Sequence, residues 1–112
     1  MELHELEKLL MQNNKALFLK VKEQPELVEQ AAQAEHDYTV ALAQSITELR
    51  IKGEPATLIG DLARGQVAKF RYNRDVRRGI SDACREAIRA YQTKISGIQT
   101  LIAAYRASME LR

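Results

Sequence analysis

The chain has 112 residues and a mass of 12.7 kDa, enough for one domain. Its 17 Lys and Arg against 15 Asp and Glu leave a net charge of +2, which excludes a polyacidic tail and a strongly basic nucleic-acid coat. Hydrophobic residues make up 46%, but only 5% are aromatic and Trp is absent, so a core has to be built from Leu, Ile, Val and Ala.

The start of the chain carries Glu2, Glu5 and Glu7 without an unbroken apolar block, unlike a secretory signal. No apolar run approaches the ~20 residues of a bilayer span. The one cysteine, Cys84, cannot form an internal disulfide, which fits a reducing compartment. A cytoplasmic protein without a membrane partner is expected.

Over residues 2–22, Leu3, Leu6, Leu9 or Leu10, Asn13 or Asn14, Leu17 and Val21 form a helical stripe, so a short N-terminal helix is predicted. Pro25 reads as the first residue of a new helix, where a missing N–H costs nothing and Glu26 and Glu29 complement the helix dipole. This second helix is predicted over 25–51, with Val28, Ala31, Glu35, Tyr38, Leu42, Ser45 and Leu49 facing inward. Gly53 and Pro55 then break the chain, and residues 52–65 are read as a turn holding a short helix with Leu58, Ile59 and Leu62 on one side.

From residue 66 to 110 one long helix is predicted. Its apolar positions step alternately by three and four from Val67 to Met109, the pattern of a coiled-coil seam. Such a helix is ~66 Å long, whereas helix two is ~40 Å. Folded back antiparallel, helix two leaves part of the seam uncovered. The expectation is therefore a single all-α domain over 1–112, an antiparallel helical hairpin assembled as an oligomeric bundle or coiled coil. The predicted oligomer interface is Ile88, Tyr91, Ile95, Ile98, Ile102 and Tyr105. Gly79 and Gly97, each costing ~1 kcal/mol in a helix, lie with Ala83, Ala87 and Ala90 on a strip that suggests close approach by a neighbouring helix.

No catalytic, metal or cofactor site is expected. Neither His4 nor His36 has a Glu three residues before it, as a di-metal bundle requires, and no His-Glu-x-x-His is present. Glu35, His36 and Asp37 are consecutive, so on a helix they diverge by ~100° each. Cys84 has no histidine near it in sequence and reads as packing. Gly60 and Gly65 have the spacing of a phosphate loop, but Gln66-Val67 follows in place of the required Lys and hydroxyl.

The chemistry that stands out is basic. Between Ala63 and Arg89 the arginines outnumber the acids, with Phe70 and Tyr72 interleaved, and Arg74 and Arg77 occupy seam positions where Leu or Ile would pack. The candidate partner-binding residues are Arg71, Arg74, Arg77, Arg78 and Arg85 with Tyr72. Three uses remain open: pairing with acidic helix two to fix the register, docking on an acidic protein surface, or contact with phosphates and bases.

The run from Ile51-Lys52-Gly53-Glu54-Pro55 through Asp61-Leu62-Ala63-Arg64-Gly65 to Ile88-Arg89-Ala90-Tyr91 resembles small helical proteins encoded in the early regions of phages of Gram-positive bacteria. The resemblance implies a non-enzymatic accessory or inhibitor acting in the host cytoplasm. It also admits a nucleic-acid-binding accessory to DNA replication or recombination, and neither implication assigns a residue a role. A protein partner is favoured over nucleic acid, and a small anionic nucleotide held at a subunit interface is a further possibility. The charge divides unevenly: residues 1–56 hold 6 Lys and Arg against 10 Asp and Glu, and residues 57–112 hold 11 against 5.

Overall fold

The computed structural model describes residues 1–111, and among them it is all helical. Helix α1 spans Leu3–Ile51, α2 spans Ala56–Gln66 and α3 spans Ala68–Glu110. The predicted short N-terminal helix and second helix are thus corrected to one helix of 49 residues with Pro25 inside it. Proline lacks the N–H that would bond to the carbonyl four residues back, and in a helix interior it costs about 3 kcal/mol. The helix continues because the segments before and after Pro25 each bury a stripe against α3, and extending a formed helix is easier than nucleating a new one.

Contacts divide the chain into two compact units, one made of residues 1–25 and 83–112, the other of residues 26–82. In the first, Leu6 packs with Ile98 and Ile102, and Leu3, Leu9 and Leu10 close around them. The Cys84 thiol donates to the Lys20 carbonyl at 3.5 Å. The two segments therefore run antiparallel, and Arg106 binds Glu7 at 3.0 Å on the rim. Asn13 sits buried in the seam, its side-chain N–H donating to the Leu9 carbonyl at 2.8 Å.

In the second unit, α1 ends in a Schellman motif. Gly53 N–H donates to the Arg50 carbonyl and Glu54 N–H to the Leu49 carbonyl, and Gly53 takes φ 79°, a conformation that favours glycine. Pro55 then opens α2, whose Ile59 and Ala63 bury against Leu49 with Leu42 and Ile46 alongside. A single residue, buried Val67, separates α2 from α3. The Ser45 hydroxyl donates to Gln66 Oε1, so this buried serine has its partner.

The seam of α3 is buried by the chain itself. Ile88, Ile95, Ile98 and Ile102 are all buried in the first unit, Tyr91 is partly covered and Tyr105 remains exposed. The expectation that the distal seam lacks a cover within the chain is corrected, because it assumed that only residues 25–51 fold back on α3. The N-terminal segment of α1 is the cover. Nothing lies within 4 Å of a Cβ placed on Gly79 or Gly97, so no helix of this chain approaches them closely.

Candidate functional site

The basic stretch begins at the end of α2 and continues on α3, in the second unit as far as Asp82, and α1 uses much of it. Arg74 Nε and one terminal nitrogen donate to Asp75 at 3.1 and 3.0 Å, Glu35 lies 3.6 Å away, and the guanidinium stands over the Tyr38 ring. The hydrogen bond to Asp75 raises the Arg74 pKa above its ordinary value; desolvation opposes it and the charges of Asp75 and Glu35 add to it. Arg78 binds Glu35 at 2.9 Å, and Arg77 donates to Gln30 Oε1 at 3.1 Å. These three arginines fasten α3 to α1. Arg85 belongs to the first unit and is also engaged.

The two remaining candidates face solvent. Tyr72 is 73% exposed. Arg71 is exposed and, among the described residues, has no carboxylate within salt-bridge distance. Asp75, four residues on along α3, is bound by Arg74 instead, and α1 carries no acid between Asp37 and Glu48.

Tyr72 is not alone on its side of the helix. Val76 and Ile80 follow it at intervals of four, so the three share an arc of ~80°, and both are exposed. Lys69, three residues before Tyr72, lies on the same arc and has no carboxylate partner among the described residues. The resulting face is an apolar strip with Lys69 at one end, while Arg71, next to Tyr72 in sequence, points ~100° away from it. Sequence reasoning missed Val76 and Ile80 because it followed one seam, and it counted Lys69 within the basic stretch without placing it beside Tyr72. The signal was a second set of positions at helical spacing, offset from the first.

The interleaved aromatics do not form one platform. Phe70 and Tyr72 are two residues apart on a helix, hence ~200° apart in direction, and Phe70 lines a shallow groove with His36, Asp37, Val40, Ala41 and Gln44 of α1. A base stacked on one ring is out of reach of the other, and Asp37 beside Phe70 repels a phosphate.

No helix among the described residues is long and apolar enough to cross a membrane, and no group of three or more His, Cys, Asp or Glu comes together as metal ligands would. Comparison with protein families, with curated proteins and with solved structures returns no match.

Proposed function

We propose that this chain is a non-catalytic helical binding protein, an accessory or inhibitor of the kind the early-region resemblance implies. It docks on a protein partner through the outer face of α3 in the second unit. The observation that carries this reading is Tyr72, exposed beside Val76 and Ile80 with the unpaired cation Lys69 on the same arc and exposed Arg71 ~100° round the helix. An exposed tyrosine anchor among apolar side chains is the composition of an interface hot spot. The cations favour a partner surface that is apolar at its centre and acidic at its rim.

The basic stretch supports nucleic-acid binding less well. Arg74, Arg77 and Arg78 are turned to α1, and the acids Glu35 and Asp75 stand among them. The same geometry leaves few guanidinium groups for a small anionic nucleotide.

Affinity purification of the tagged full-length protein from its host, with and without nuclease, tests the reading against a variant carrying Arg71→Glu and Tyr72→Ala. A protein retained after nuclease treatment by the parent and lost by the variant is expected. Equal retention by the variant excludes this face. Loss of retention on nuclease treatment, with oligonucleotide binding that weakens steeply as salt rises, transfers the assignment to nucleic acid.

A further inference from the structure

Two other surfaces, both on α1, remain unused by the proposed docking face. In the first unit, His4, Lys8, Met11, Lys15, Phe18 and Lys22 recur at steps of four and three, so they share one side of the helix. All six are exposed, Met11 at 74% and Phe18 at 63%. The three lysines have no carboxylate within 4.0 Å among the described residues. Of the nearby acids Glu7 binds Arg106, Glu23 binds Lys20 and Glu26 accepts from Gln30, while Glu5, three residues before Lys8, has no cation within salt-bridge distance among the described residues. Lysines spaced by seven and large apolar side chains spaced by seven alternate along this face, with Glu7 at its border and Glu26 continuing it four residues beyond Lys22.

In the second unit the solvent side of α1 has the opposite sign. Glu29, Asp37 and Glu48 lie along it with Val40 between, and none has a cation within salt-bridge distance among the described residues. Two shallow grooves follow this side. One is the groove beside Phe70, and the other is lined by Ala43, Gln44, Thr47 and Glu48, so Gln44 borders both. The surface is acidic and concave where the other is basic and studded with Met and Phe.

We infer that the occupant of each surface is a second copy of this chain, the Lys8–Lys22 face of one copy lying antiparallel on the Glu29–Glu48 face of another. This direction sets Lys22 against Glu29, Lys15 against Asp37 and Met11 against Val40, with Lys8 reaching toward Glu48. Lys22 to Lys8 spans 14 residues and Glu29 to Glu48 spans 19, so Lys22 and Lys15 align within about one residue of their partners, and Glu48 lies five residues, ~7.5 Å, beyond the position across from Lys8. Opposite unpaired charges across such a contact steer and register it. The same protein supplies both surfaces at equal concentration.

Light scattering on the full chain and two exposed-surface variants tests this. One variant carries Lys8→Glu, Lys15→Glu and Lys22→Glu; the other carries Glu29→Lys, Asp37→Lys and Glu48→Lys. The parent is expected above the mass of one chain at micromolar concentration and to dissociate as salt rises. Each variant alone should be monomeric, because its two faces then carry the same sign. An equimolar mixture of the two should regain the assembled mass, since each reversed face meets a complementary one. If circular dichroism shows a triple variant to be unfolded, the single changes Lys15→Glu and Asp37→Lys serve as the pair. A monomeric parent, a variant that assembles alone, or a mixture that stays monomeric overturns the inference. So does a monomeric parent that binds anionic vesicles through these lysines. The Arg71→Glu, Tyr72→Ala variant should assemble like the parent, which keeps failure of this inference distinct from failure of the α3 docking face.

Discussion

The guanidinium carbon of Arg74 stands 4.3 Å from the centroid of the Tyr38 ring. Its side chain is only 17% exposed and also meets Glu35 and Asp75, so a cation at a packing position is satisfied from three sides. The contact explains how a seam tolerates an arginine. The long side chain packs its stem and ring contact as an apolar residue would, while its charge is met by carboxylates.

Arg74→Ala should therefore lower stability by about 1–2 kcal/mol, chiefly from the cation–π contact, since ion pairs with half-exposed carboxylates contribute at most about 1 kcal/mol. Tyr38→Phe keeps the ring and should change little. Tyr38→Leu combined with Arg74→Ala should cost less than the two single changes added together. Urea titration of the four proteins measures this, and additive costs would show that ring and cation do not interact.

Leu6→Ala should cost about 2–4 kcal/mol, the range for deleting a buried leucine side chain, because Leu6 is buried against Ile98 and Ile102. Leu101→Ala, one position from Ile102 but exposed, should stay within about 0.5 kcal/mol. The comparison tests whether the N-terminal segment covers the α3 seam. Equal small effects would mean that this seam is open in the single chain.

The seam itself was legible because a three-and-four period forces a helix and one of its faces at once. The turn was legible because Gly53 and Pro55 restrict the backbone whatever surrounds them. Pro25 was misjudged because its local cost is opposed by packing on both sides, Leu6 and Asn13 before it and Ala34, Ser45 and Leu49 after it. The arginines were legible as a stretch, but not in their uses. Arg78 meets Glu35 and Arg71 meets no acid, and that difference depends on which residues of α1 lie across from each, a property of the pairing of two distant segments.

The glycines should respond with opposite signs. Gly53→Ala places a side chain at φ 79° and removes the residue best suited to the helix end, so a loss of about 1 kcal/mol is expected. Gly79→Ala and Gly97→Ala meet open space and should each gain up to about 1 kcal/mol in helix propensity. Thermal or urea midpoints report the signs. A destabilising Gly97→Ala, with loss of the assembled mass, would instead place a neighbouring chain against that glycine.

Pro25→Ala distinguishes a continuous α1 from two helices that meet at residue 25. In a continuous helix the alanine N–H can donate to the Val21 carbonyl, and the clash of the proline ring with that carbonyl disappears. Stability should rise by about 1–3 kcal/mol, less than or equal to the full proline penalty, while helix content by circular dichroism stays unchanged because the segment is already helical. If Pro25 began a separate helix, its missing N–H would be an unpaired end group in any case. Alanine would then leave the midpoint unchanged or lower it, and any effect would be a gain in helix content as residues before Pro25 joined the helix after it. A raised midpoint at constant ellipticity is the outcome that the structure requires.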